Sequence, residues 1–467
     1  MSKNILLWPD VYKEQGHWLP TLKWAQDLND VVEGGTHPYM VFYMGIADCK
    51  PIIDGYNKSD ASTEEHFPFF NIFQNMYPKG YTTQSSSDPN ERWKTWHIWA
   101  ILYSQYASEE EVIAAGGKMP NAKLWEDAQS LRTAWTSANP NLLVSGYFTS
   151  LETLLLYWIH KNRTGRTDLD FVISTTYLRH PQDDPAIRAR VNLQSFSKAE
   201  LHKIVNMAVH GTISTDAPEM TLQEFVQPLE SFNELIPCPK EYEYSHYKHG
   251  ALVHYVDPCI TKELSQSSAA KDSDGNLINW DEKVIKENII FVTAGSQVLD
   301  YEDKAKNLFH SMCKAMQTSQ LKDCYLIVAA GSKLVNSLEW KDYDKTKILI
   351  ASWVPQRRLL SEGNIKCAII HGGLATIKEC VYFKRSFIIN PLGKDQIDNA
   401  LRLKNYGINN MLPMANVNPN TLLDAVTRVT SDYRMNAKLV KLGNVFVDME
   451  SRKEGLGIIQ EVLKQQP

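Results

Sequence analysis

The chain has no Cys-x-x-Cys pair, no apolar run near the ~20 residues that cross a bilayer, and no marked excess of either charge. Each absence removes a class of protein. The seven cysteines, at positions 49, 238, 259, 313, 324, 367 and 380, are odd in number and scattered. A disulfide framework or thiolate metal site is therefore not expected, and Cys367 and Cys380 read as buried free thiols. The opening run Ile5-Leu6-Leu7-Trp8 stops at Pro9-Asp10, too short for a signal-peptide core. With no anchor among the last residues, a cytoplasmic protein without a transmembrane segment is expected. Lys plus Arg is 49 against 54 Asp plus Glu, a net charge of −5. That is a poor balance for a general nucleic-acid binder, because neutralising phosphates needs a basic surface.

What is abundant is aromatic. Twelve tryptophans occur in 467 residues, and nine of them precede residue 160. The length favours two domains. In the first half, strand-like runs at Asn4–Trp8, Tyr39–Tyr43, Asn141–Ser145 and Phe171–Thr175 alternate with helical stretches. Pro20 suits the first turn of a helix whose Leu22, Ala25, Leu28 and Val32 share a face. Residues 49–95 read as long loops with short helices. Ser-, Asp- and Gly-bearing sequence from Leu264 to Asp281 has linker chemistry. A second series of strands follows at Ile289–Thr293, Tyr325–Ala329, Ile348–Ser352, Ala368–His371 and Phe387–Asn390. The alternation predicts two doubly wound α/β domains, with ligands at the carboxyl ends of the strands. The expected boundaries are 1–258, a linker at 259–284, a second domain at 285–450, and a helix within 451–467 that packs back on the first domain.

Three patterns at strand ends carry chemistry. Ile289–Thr293 runs into Ala294-Gly295-Ser296, where backbone and hydroxyl can approach a phosphate; a plain strand–helix turn reads as well. Trp353-Val354-Pro355-Gln356 puts an indole and an amide at a strand end, fit to stack on a base and read its edge, or to serve as a core Trp before a helix-starting Pro. The third is the most specific. Cys367–Ile370 leads into His371-Gly372-Gly373-Leu374-Ala375-Thr376, a strand, a glycine turn and a helix start, which together make an anion site. His371 can add a donor, or a charge if protonated. Glu379, one turn past Thr376, would repel phosphate and suits sugar hydroxyls. Asp395 and Gln396 after the next strand can hold adjacent hydroxyls of a hexose.

In this order the motifs resemble the donor-site signature of nucleotide-sugar glycosyltransferases of the two-domain GT-B fold, the UDP-glycosyltransferase-like enzymes that act on small molecules. Gly16-His17-Trp18-Leu19-Pro20 is similar to that family's Gly-His-x-x-Pro turn. The resemblance implies two Rossmann-like domains facing a central cleft. It also implies an inverting transfer of a hexose from a nucleotide-diphosphate sugar to a hydroxyl of a small, apolar acceptor. Trp353 would stack on the base, with Val354 and Gln356 at the nucleoside, and the Trp platform leans toward UDP over TDP. Glu379 would take the ribose. Gly295, Ser296, His371, Gly372, Gly373, Ala375 and Thr376 would hold the diphosphate, and Asp395 and Gln396 the sugar. His17 would be the catalytic base. Trp96, Tyr147, Phe148, Trp99 and the Phe67–Phe70 run are candidate acceptor walls or core.

The helix dipole and N–H groups would replace a metal at the leaving group, so no metal or other cofactor is expected. The Asp-x-Asp runs at Asp168, Asp272 and Asp342 are read as chance. The expected partners are the two substrates, as a monomer or homodimer. Two departures stand out. Relatives pair the base with an Asp after the fourth strand, but Leu143-Val144-Ser145-Gly146-Tyr147 holds none. Ala375 stands where relatives usually carry Gly or Asn. The missing Asp keeps open a second reading, a non-catalytic nucleotide-sugar-binding protein.

Overall fold

The computed structural model describes residues 2–11, 15–57, 67–76, 93–118, 120–213, 220–260, 270–296, 298–337 and 343–466. Much of the aromatic stretch 60–105, linker residues 261–269 and Asp342 therefore lie outside the described residues. The chain forms two compact units. The first comprises Met1–Pro237, Tyr247–Cys259 and Lys453–Pro467, the second Cys238–His246 and Ile260–Arg452. Cys238–His246 thus groups with the second unit, inside the span that the sequence reading gave to the first domain. Tyr242 Oη donates to Asn399 O at 2.8 Å, and the Arg402 guanidinium pairs with Glu243 at 2.6 Å. Both tie the segment to its unit by buried polar contacts that sequence patterning does not display.

Among the described residues the first unit holds seven parallel strands: β1 (Lys3–Trp8), β2 (Tyr39–Gly45), β3 (Phe69–Asn71), β4 (Leu142–Gly146), β5 (Asp170–Ser174), β6 (Asn233–Ile236) and β7 (Val253–Tyr255). They lie in the order β3-β2-β1-β4-β5-β6-β7. The period of two sorts side chains onto two faces. Leu6, Trp8, Phe42, Met44, Leu143, Phe171 and Ile173 enter one core, while Ile5, Leu7, Val41, Tyr43, Leu142, Val144 and Val172 enter the other. Because both faces are covered, the strands read as continuous apolar runs.

The helix Gln15–Asn29 follows β1, and its Leu22, Ala25 and Leu28 fill the second core. Two expectations fail here. The helix begins five residues before Pro20, so His17, not Pro20, lies in its first turn, and Val32 lies beyond the helix, exposed. The helix Glu454–Lys464 joins the same core through Leu456, Ile459, Val462 and Leu463. Its Gly455 N–H donates to Asp257 at 2.7 Å. Trp8, Trp18 and Trp24 are fully buried. These rings are filling the two faces of one sheet, a large apolar contribution from each.

The second unit holds β8 (Ile289–Thr293), β9 (Tyr325–Ala329), β10 (Ile348–Ala351), β11 (Ile365–Ile370) and β12 (Phe387–Ile389), parallel, in the order β10-β9-β8-β11-β12. Every residue of β8 is buried. In each sheet the order reverses once, between β1 and β4 in the first and between β8 and β11 in the second. Such reversal points leave room at the carboxyl ends of the strands. No helix among the described residues is long and apolar enough to cross a membrane.

Candidate active site

The second reversal point is built largely of glycine. β8 and β11 pair with Thr293 beside Ile370, so their exit turns, Ala294-Gly295 and His371-Gly372-Gly373, lie next to each other. Gly295 has φ +80°, and a Cβ there would lie 2.5 Å from the His371 ring. A Cβ at Gly373 would strike the same ring, and Gly372, at φ +95°, would strike Ile389. The imidazole is thus held by backbone on two sides, and only glycine leaves space for it. Burial pushes the His371 pKa down to about 4. The ring is therefore neutral at pH 7, so of the two possibilities it offers a hydrogen bond and no charge. Its Nδ1 is buried without a hydrogen-bond partner among the described residues.

The helix Leu374–Tyr382 starts on Gly373, which offers no side-chain cap. Its first N–H groups and positive dipole end are thereby left for an anion. Thr376, in the first turn, and Glu379, one turn on, are buried in this helix. Ala375 is half-buried and Ser296 exposed.

Glu379 does not stand open. Its Oε1 accepts from Arg357 Nε at 2.6 Å, and its Oε2 pairs with the Gln356 amide. That amide also lies 3.5 Å from Thr376 Oγ1. The structure so joins Gln356, Thr376 and Glu379, and adds Arg357, which sequence reasoning missed although it follows Gln356 directly. Val354 is buried, whereas Trp353 is 37% exposed, its indole free of ring contacts among the described residues. Of the alternatives left open for this Trp, the core reading fails.

After β12 the chain makes a tight turn. The Gln396 side-chain oxygen accepts from Leu392 N at 2.7 Å and Gly393 N at 3.1 Å. This amide oxygen is engaged in holding its own loop. Asn399 donates both to Asp395, at 2.9 Å, and to Gly372 O, at 3.1 Å, linking the Asp395 loop to the glycine turn. Its role was invisible in sequence, since an Asn inside a helix carries no motif.

The first reversal point is built of side chains instead. His17 Nδ1 meets the Asp10 carboxylate, and Asp10 is 1% exposed. Sequence reasoning noted Asp10 only as the end of the opening apolar run; its signal was a carboxylate two residues past a buried strand. The His17 ring stacks on Phe148 at 5.2 Å and 24°, and Phe148 stacks on Tyr177 at 5.4 Å. Arg188 lies 5.1 Å over the Phe148 ring. Tyr147, an expected acceptor wall, is buried instead. It donates to Asp183 at 2.7 Å, and burial raises its pKa well above the tyrosine range. Trp96 is half-buried against the core with its indole N–H on Asp127 at 2.7 Å. Phe148, by contrast, is a proposed wall residue that the fold stacks on His17.

The Asp-x-Asp carboxylates have local partners. Asp168 pairs with Arg166 at 2.9 Å, Asp170 pairs with Lys161, Asp272 accepts from Asp274 N and Asn276 N, and Asp344 accepts from Thr346 N. No group of three or more metal-ligating side chains occurs among the described residues.

These two sheets define an α/β protein of the GT-B class. A solved kitacinnamycin glycotransferase shares the fold, with a TM-score of 0.64 at 15% identity over 99% of this chain and 100% of that one. In sequence, residues 287–451 match the family described as UDP-glucoronosyl and UDP-glucosyl transferase. The uncharacterized UDP-glucosyltransferase YdhE of Bacillus subtilis (strain 168) is 25% identical over 45% of this chain and 50% of its own length. The putative UDP-glucuronosyltransferase ugt-50 of Caenorhabditis elegans is 21% identical over 50% of this chain and 42% of its own. The chain thus spans about half the length of the curated relatives it matches. By sequence, its second half is similar to that family, and by fold both units are similar to the solved GT-B structure.

Proposed function

We propose that the protein is an inverting glycosyltransferase. It moves a hexose from a nucleotide-diphosphate sugar, UDP-glucose or a close relative, to a hydroxyl of a small apolar acceptor. One observation carries the donor half: the glycine-lined turn around His371, opening onto the start of the helix Leu374–Tyr382. Backbone N–H groups, the dipole and a neutral imidazole suit a diphosphate leaving group without a metal. Trp353 supplies a ring for the base. Glu379 offers its Oε2 to the ribose once the neutral Gln356 amide gives way, while Arg357 keeps the other oxygen. Asp395 is the sugar ligand of the pair; Gln396 acts by shaping its loop.

On the acceptor side His17 is the base. General-base help is worth about 10²–10⁴-fold, and Phe148 and Tyr177 provide the apolar surface beside it. The alternative, a binding protein without catalysis, rested on a base with no carboxylate to orient it, and Asp10 removes that ground.

The test is direct. The purified protein is incubated with UDP-glucose and a panel of phenols, macrolides and sterols, with and without EDTA, and glycosides are sought by mass. Product formation indifferent to EDTA is expected. Binding of UDP with no product from any acceptor would favour the non-catalytic reading, and strict Mn²⁺ or Mg²⁺ dependence would overturn the metal-free one.

A further inference from the structure

We propose that Asp10 is the positioning residue of His17, and that Gly146 is what lets it act from β1; this rests on the reading of His17 as the base. β1 and β4 are parallel neighbours with Trp8 beside Ser145. One residue on, Pro9 stands beside Gly146. A side chain at 146 would run directly into the Pro9 carbonyl. Only glycine lets the chain leave β1 so close to the end of β4, and this path delivers Asp10 to Nδ1 of His17.

The carboxylate absent from the end of β4 and the carboxylate present after β1 are therefore one change seen twice. The residue after Gly146 is Tyr147, whose hydroxyl is already committed to Asp183. A carboxylate on the β4 side would compete with that contact and with the Pro9 backbone. The neighbouring strand of the same reversal point supplies it instead.

The chemical consequence follows from the atoms. A buried carboxylate at Nδ1 keeps the proton on that nitrogen, so that Nε2 carries none. Phe148, stacked on the imidazole, restrains the ring plane. In the transfer, the acceptor O–H proton passes to Nε2 as the acceptor oxygen bonds to the anomeric carbon. The bond from that carbon to the diphosphate breaks, and its electron pair leaves with the nucleoside diphosphate. The imidazolium so formed is stabilised by the Asp10 carboxylate, and its proton then passes to solvent.

The experiment combines NMR of the His17 ring nitrogens with kinetics on the full chain for wild type, Asp10→Asn, Asp10→Glu and Gly146→Ala. In wild type the proton is expected on Nδ1. In Asp10→Asn the His17 pKa should fall by about one unit or more, since an opposite charge is lost. The acid limb of the kcat/KM profile should move down with it. kcat should fall at least about 10²-fold, with the donor KM within about twofold, and Asp10→Glu should restore part of it. Gly146→Ala should reproduce the Asp10→Asn defect although the carboxylate is retained.

An unchanged tautomer and pKa in Asp10→Asn would overturn the proposal. So would a loss of thermal stability with kcat and the pH profile intact, the mark of a merely structural contact. A wild-type-like Gly146→Ala would overturn the part assigned to Gly146. Full transfer by His17→Ala would overturn the base reading instead, and the ring nitrogens alone would then decide the pairing.

Discussion

The two sheets reverse strand order at equivalent places and fill those places with opposite materials. Between β8 and β11 the reversal is lined by Gly295, Gly372 and Gly373, which bring backbone against one neutral imidazole. Between β1 and β4 it is lined by His17, Asp10 and stacked rings. The first arrangement suits a diffuse anion, which needs N–H groups and a dipole more than any one side chain. The second suits a single proton, which needs one nitrogen held in one tautomer. On the proposed reading, the same topology would serve two chemistries because the exit turns differ while the strands do not.

If that division holds, substitutions in the two places should separate kcat from donor affinity. His17→Ala should lower kcat by about 10²–10⁴-fold and leave the Kd for UDP, read by calorimetry, unchanged. A matching loss of UDP affinity would break the division.

The next effect is shared by both units. His371 titrates at about 4 and His160, in the first unit, at about 3, each pushed down by burial from an ordinary value near 6.5. The native state then binds fewer protons than the unfolded one below pH 6.5. Each buried ring therefore contributes full stability above 6.5 and loses it as pH falls toward its folded pKa. Going from pH 7 to 5 should cost each unit about 2 kcal/mol, measurable by urea denaturation. His160→Gln should flatten this dependence in the first unit and spare the second.

Trp353→Ala should weaken UDP binding about tenfold, the order of one base–ring stack, with kcat at saturating donor little changed. Equal affinity would remove the indole from the nucleotide site. Smallest is Asp168→Ala. Its pair with Arg166 is half in solvent, and such pairs are worth about 0–1 kcal/mol. An unfolding midpoint within a degree or two of wild type is expected, with no change in EDTA response.

Much of the proposed donor side was legible because its signals are contiguous. A β-branched run followed by glycine states a strand and its turn within eight residues, and His371-Gly372-Gly373 through Glu379 lies on one turn and one helix. The proposed acceptor side was less legible. Trp18, Trp24 and Tyr147 look the same in sequence as Phe148, yet the first three are buried and Phe148 is only half-buried beside His17. Aromatic residues fill cores and line pockets with equal aptitude, so composition alone overstated the surface available to an acceptor. Arg357 and Asn399 escaped notice because their partners, Glu379 and the carbonyl of Gly372, stand 22 and 27 residues away in the chain.

The sequence by itself determined the two α/β halves, four of the seven strands of the first sheet, the five of the second, and the glycine turns, because these depend on local periodicity and on backbone torsions that glycine alone adopts easily; β3, β6 and β7, each of three or four residues, are too short to show a period. Tertiary structure decided which tryptophans vanish into the core, which partner each oxygen of Glu379 takes, and which carboxylate meets His17. Those depend on which strands become neighbours. Pro9 and Gly146 are 137 residues apart in the chain and adjacent in the sheet, and only pairing β1 with β4 puts Asp10 where a proton can be held.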